Sequence, residues 1–322
     1  KTCESILRKT NNYNHMKKIT KILLVDSKEE WKKSRADNPL LYAASRGFET
    51  VIKKILREQK QEEAIVTLID SQIDLQATDS SSNNALTIAV WENQPKVIRS
   101  LLEAGVGVNT KNADDMTPLL YACLRNNAAV VKELVKSGKL DINYANKEKS
   151  TALTYAASWG NVEIIKMLLN FKKEPVPSLI NHRTKTNVTA LMIATSWNRT
   201  EAVRTLLEYP QTNCNLADQS KLTAIMYAAY HDYGHIVDIF AKYNENNRCD
   251  FNLKDRFGWT AFDIAYYRGA ETVMEVYEEV EELNSYISDI SFQLQVKRFG
   301  IDSFHWYFWG LVGVWCRLHL DG

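Results

Sequence analysis

His231 and His235 stand four residues apart, the spacing at which two imidazoles on one helix face share a metal ion. The run His231-Asp232-Tyr233-Gly234-His235 argues against that chemistry, because it has no glutamate beside His231, no third ligand nearby and a glycine suited to a turn. A turn pair of histidines is expected. The five cysteines, Cys3, Cys123, Cys214, Cys249 and Cys316, are scattered and odd in number, with no zinc-ligand pairing. They are read as reduced thiols of a cytoplasmic or nuclear protein, with Cys123 as core filler. The chain has no phosphate-binding glycine loop, no dinucleotide fingerprint, and six histidines without triad spacing. No catalysis, cofactor or metal is therefore expected.

The chemistry that remains is recognition. Trp, Tyr and Arg dominate the energetics of protein interfaces, and here they recur in register with a repeated element. Asn38-Pro39-Leu40, Asn84-Ala85-Leu86, Thr117-Pro118-Leu119, Thr151-Ala152-Leu153, Thr189-Ala190-Leu191, Thr223-Ala224-Ile225 and Thr260-Ala261-Phe262 share one pattern. Three residues after each comes an alanine: Ala43, Ala89, Ala122, Ala156, Ala194, Ala228 and Ala265. The spacings between units are 46, 33, 34, 38, 34 and 37 residues, a helical-solenoid period. Thr117 suits a helix N-cap and Pro118 the first helical position. Leu119 and Ala122 share a helix face, with alanine where a neighbouring backbone must come close. A second apolar set follows, as in Val162, Ile164, Ile165, Leu168 and Leu169, at helical spacing.

These units resemble ankyrin repeats, whose signature reads T-P-L-H-x-A, then a glycine turn, then a second helix. Ser150 to Asn161 matches it closely, and Asp141-Ile142-Asn143 and Asp250-Phe251-Asn252 resemble the lead into each family β-turn. The resemblance covers roughly residues 37–280 and implies an all-α solenoid of about seven helix-turn-helix repeats with helical caps, working in protein–protein recognition as a scaffold or adaptor. The signature histidine is replaced by Tyr42, Tyr121, Tyr155 and Tyr227, or by Ile88, Ile193 and Ile264. Weaker hydrogen bonding between loops is the expected consequence.

In such stacks the inner helices and loop tips form a concave face. The resemblance puts near it the position six residues after each Leu, Ile or Phe and the position just before. Trp159 and Trp197 are expected to form a central platform, with Trp91, Tyr230 and Tyr267 beside it. Arg125 and Arg268 would flank it and pair with carboxylates. The tips Asp114-Asp115, Lys147-Glu148-Lys149, Arg183-Thr184-Lys185 and Arg256-Phe257 carry mixed charge, which favours a protein partner, with Phe257 as a further anchor.

Charge agrees. Lys and Arg total 40 and Asp and Glu 39, a net +1, without the excess that general nucleic-acid binding needs. The 322 residues would fit two ordinary domains, but the repeats replace that expectation with one array over 37–280.

Residues 1–36 form an N-terminal cap in which Ile19, Ile22, Leu23 and Trp31 cover the first repeat. No secretory signal is expected there; Lys1 suggests a processed or unincluded start. Arg57 to Asp70 is an added or lengthened helix, and Lys172 to Pro177 a loop, since two prolines exclude regular helix. From Val273, apolar residues at Val276, Val280, Leu283, Ile287, Ile290 and Leu294 make a heptad seam over 273–294. It is either a closing helix, assigned here to 281–298, or a coiled coil that joins two copies. The tail, 299–322, holds an aromatic run over 304–320 that suits a membrane interface, a larger assembly or packing back on the repeats.

Overall fold

The computed structural model describes residues 39–50, 52–53, 75–171, 177–244 and 248–279. The expected N-terminal cap, the added helix at 57–70, the loop residues 172–176, the closing helix over 281–298 and the tail at 299–322 lie outside the described residues. Secondary structure among the described residues is helical, with isolated bridges such as Ala145 to Thr151 at the turns. The chain divides into two compact units, the first ending at Asp141 and the second beginning at Ile142.

The first unit contains α1 (Pro39–Ser45), the pair α2 (Ala85–Trp91) and α3 (Pro95–Glu103), and the pair α4 (Pro118–Leu124) and α5 (Ala128–Lys136). The second holds α6 (Ala152–Trp159) with α7 (Val162–Leu169), the short α8 (Pro177–Ile180), α9 (Ala190–Ser196) with α10 (Thr200–Leu207), α11 (Ala224–Tyr230) with α12 (Gly234–Lys242), and α13 (Ala261–Arg268) with α14 (Glu271–Glu279). Pro177, expected in the loop, instead opens α8, where a proline needs no amide donor.

Each inner helix starts and stops for local reasons. Asn84, Thr117, Thr151, Thr189 and Thr260 accept from a backbone amide three residues on, satisfying an N-terminal donor. Each inner helix ends at a residue with left-handed backbone: Gly47, Asn93, Asn126, Gly160, Asn198, Asp232 and Gly269. Gly, Asn and Asp reach that region at the least steric cost. The inner-helix alanines are all buried, Ala156 at 0% exposure. Within the second unit α6 packs on α9, α9 on α11 and α11 on α13, so a methyl group there is what lets neighbouring helices approach.

The turns before the inner helices repeat as closely. Asn146 Oδ1 accepts from Glu148 N at 3.1 Å and Ser150 N at 2.9 Å. Asp79, Asn112, Asp218 and Asp255 do the same in their own repeats, and Thr184 makes the second of these bonds. Three of the tyrosines at the signature-histidine position close this loop. The hydroxyls of Tyr121 and Tyr155 accept from Asn112 and Asn146 at 2.7 and 3.1 Å, and Tyr227 donates to Asp218 Oδ2 at 2.9 Å. The phenol thus reaches the turn residue nine positions earlier and ties each turn to its own inner helix.

The cysteine expectation is corrected. Cys214 and Cys249 form a disulfide across a sequence separation of 35, with their Cα atoms 5.5 Å apart. They occupy the segments leading into two successive turns, and stacking brings those segments together. Cys123 is buried in α4, and burial pushes its thiol far above the ordinary cysteine range. Of the heptad seam, Val273 on α14 is fully buried along with Tyr277, whose ring meets Phe262 edge-on at 5.1 Å. Val276 is half-buried on the same helix, and Val280 and the seam residues after it lie outside the described residues.

Candidate interaction surface

The left-handed residues that end the inner helices also decide which side chains project. In the first unit, Trp91 is the last residue of α2 and is 39% exposed. Its ring meets Tyr121 of α4 edge-on at 5.1 Å, and the Arg125 guanidinium lies 3.8 Å from its centroid. Burial raises the Tyr121 phenol above its ordinary value, more than its bond from Asn112 lowers it.

The second unit repeats this arrangement. Arg268, at the end of α13, lies 4.4 Å from the ring centroid of Tyr230, at the end of α11. In both units the aromatic residue stands five positions after the repeat's apolar anchor and the arginine six positions after the next one. The arginines, expected to flank the rings and meet carboxylates, lie on the rings of the preceding repeat. A guanidinium on a ring face keeps donors around its rim for an oxyanion. Tyr230 itself is only 7% exposed, so its ring lies beneath Arg268 and is little presented to solvent. Its neighbour His231 caps α11, stacks on Tyr233 at 5.3 Å, and is held below the ordinary histidine value by burial and then by Arg268. His235 lies inside α12 with Nε2 2.7 Å from Asn198 Oδ1, so the two histidines serve separate local structures.

Trp159 ends α6, exposed, and Trp197 caps α9, half-buried, at the same place in consecutive repeats. Between these helix ends, Arg199 donates from Nε to the Ser158 carbonyl at 2.8 Å. Its aliphatic stem passes so near Gly160 that a Cβ there would meet it at 2.8 Å. Phe257 is exposed at its turn tip. Tyr267 is exposed on α13 and packs on buried Trp259 at 5.2 Å, joining that helix to the turn before it.

Sequence reasoning missed Tyr266, which is 57% exposed. Ala157, Thr195 and Ala229 hold the same position in the earlier repeats of this unit and are buried. The signal was legible, because a large aromatic replaces small residues at one register position.

Among the described residues no group of three or more His, Cys, Asp or Glu could hold a metal ion, and no helix is long and apolar enough to cross a membrane. The arrangement offers rings, stacked cations and polar turn tips, which is equipment for binding.

Comparison with known proteins gives one answer. A family model described as ankyrin repeats (3 copies) matches residues 10–112 and 86–177, and another, ankyrin repeats (many copies), matches residues 211–265. Human transient receptor potential cation channel subfamily A member 1 is 30% identical over 139 residues, which are 43% of this chain and 11% of that protein. Alpha-latrocrustotoxin-Lt1a of Latrodectus tredecimguttatus is 31% identical over 103 residues, 32% of this chain and 7% of that protein. The chain thus spans a small part of the length of these relatives. The crystal structure of the ankyrin repeat protein EF0377 superposes with a TM-score of 0.55 at 27% identity, over 64% of this chain and 97% of that one. The ankyrin repeat domain of Bcl-3 superposes at 0.60 with 21% identity, over 74% and 98%, which speaks for the fold alone. The recurring turns, the buried inner-helix alanines and these matches describe the same unit, and the chain belongs to the ankyrin repeat family.

Proposed function

We propose that this chain is a non-enzymatic scaffold or adaptor whose protein partner contacts the inner-helix ends and turn tips. Ankyrin repeats are generally protein–protein interaction modules, and the fold typically serves binding and not catalysis. The observation that carries the finer reading is the placement of Trp159, a large aromatic ring left 39% exposed at the end of an inner helix. Trp197 stands at the same place in the next repeat, and Trp and Arg are the residue types on which interface energy concentrates. Trp197, Tyr267, Arg268 and Phe257 extend this surface in the second unit; Trp91 and Arg125 make a corresponding cluster in the first.

Affinity capture from native lysate tests it, comparing the parent with Trp159→Ala/Trp197→Ala and with a truncation at Phe299. Loss of a specific partner from a double variant that keeps the parent's circular dichroism supports the inner-helix face. Retention of every partner by that variant refutes it.

A second reading rests on the aromatic run Phe304 to Trp315. It makes the chain an ankyrin module attached to a membrane or a large assembly through 304–320, and it is favoured if the truncation alone loses the captured material. The composition argument for a cytoplasmic setting loses force once Cys214 and Cys249 are bonded, because disulfides persist mainly in oxidising compartments.

A further inference from the structure

The turn row of the second unit has a charge pattern that the sequence as a whole conceals. Its acidic residues Asp218 and Asp255 are buried and accept the amides of their own turns. The charges that face solvent at the tips are mainly basic: Lys147 and Lys149, with Glu148 between them, in the first turn of the unit, Lys185 in the second, Lys221 in the third and Arg256 in the fourth. The turns are tied to one another through the backbone. Lys185 N donates to Glu148 O at 2.9 Å, Gln219 N to Thr186 O at 3.2 Å, and Arg256 N to Ser220 O at 3.1 Å. The cations are therefore carried on a fixed ladder. Lys149 and Lys221 stand at left-handed tip positions, with φ of 55° and 60°. Glycine or asparagine would cost less there, so the turn itself does not ask for lysine.

We infer that this turn row binds an extended, carboxylate-rich polypeptide segment of the partner. The inference rests on the protein-recognition reading above and gives that partner a chemistry. Packed helices lie about 8–10 Å apart, so four tips span roughly 30 Å, the length of about nine or ten extended residues. A peptide is favoured over a uniform polyanion by two features. Glu148 sits in the row with its carboxylate 3.6 Å from Lys185, which interrupts the positive strip. Exposed Phe257 and Tyr267 offer apolar contacts at its far end, which a mixed acidic and apolar segment would satisfy.

The test uses the full chain and a fluorescein-labelled peptide of about ten residues alternating glutamate and leucine, with the glutamine-for-glutamate peptide as its match. By anisotropy, the acidic peptide is expected to bind at least about tenfold more tightly than its match, less tightly as salt rises. Lys185→Glu/Lys221→Glu should lower that affinity by about tenfold or more, and the milder Lys185→Gln/Lys221→Gln by less. Equal binding of the two peptides, or an acidic-peptide affinity unmoved in both folded variants, overturns the inference. So does tighter binding of a single-stranded oligonucleotide of similar length, which would assign the strip to nucleic acid. The wider reading fails separately: it stands if Trp159→Ala/Trp197→Ala loses a captured partner while the charge reversals change nothing, and falls with this one if neither set of variants has an effect.

Discussion

Asn146 Nδ2 donates to the Tyr155 hydroxyl at 3.1 Å, joining the turn of a repeat to its inner helix. Both residues are buried, so this bond is made where water does not compete. Tyr155→Phe deletes the acceptor while keeping the ring. Denaturant unfolding should show a loss of about 1–3 kcal/mol with an unchanged slope. An unaltered midpoint would mean that the phenol does not hold the turn.

Ala156 is fully buried where α6 packs on α9. Ala156→Leu adds volume that a close-packed contact cannot absorb, and should cost about 1–3 kcal/mol. A variant that melts like the parent would show this helix contact to be looser than described.

Gly234 opens α12 at a point where a Cβ would come within 2.4 Å of the Thr272 carbonyl oxygen. Its amide also donates to Thr272 Oγ1 at 3.1 Å. Gly234→Ala should therefore destabilise by about 1–3 kcal/mol, although alanine is the better helix former. Hydrogen exchange should localise the loss to α14, whose first turn would have to move away. A gain in thermal stability would contradict this contact.

The Cys214–Cys249 bond closes a loop with a sequence separation of 35. Reduction, or Cys214→Ser, should lower stability by about 2–4 kcal/mol. Unfolding midpoints measured with and without reductant check this: the parent should shift and the serine variant should not. A parent whose midpoint ignores reductant, and whose Cys214 and Cys249 thiols both titrate, would remove the disulfide.

His231 gives a pH dependence of definite sign. Burial and then the Arg268 guanidinium hold it below the ordinary 6.5, so the folded protein takes up this proton less readily than the unfolded chain. The associated stability is present above pH 6.5 and is lost as pH falls through the folded value. His231→Gln should flatten the stability profile across that window. Asp218, raised above its ordinary 3.8 by burial, contributes the opposite slope at more acidic pH. A variant profile parallel to the parent's around pH 6 would refute the His231 assignment.

Much of the fold is legible residue by residue. Thr117 caps, Pro118 opens and Ala122 packs because capping, backbone restriction and helical periodicity act over a few residues. Even the left-handed helix ends could be read from Gly160, Asn198 and Asp232 at one register position. The same register carried Trp159 and Trp197 to helix ends where they are solvent-accessible.

What the sequence determined by itself was the repeat, its helices and the frame that holds the candidate contacts, since these depend on neighbours along the chain. The tertiary structure decided the rest. Trp91 and Tyr230 occupy equivalent positions and each meets an arginine one repeat on, yet one stays 39% exposed and the other only 7%, a difference the repeat register does not encode. Cys214 and Cys249 meet, and the lysine-bearing turn tips are tied into one row, only when successive turns stack. Contacts between residues some 35 positions apart have no local signature; stacking sets them, and it also fixes which charges the surface shows.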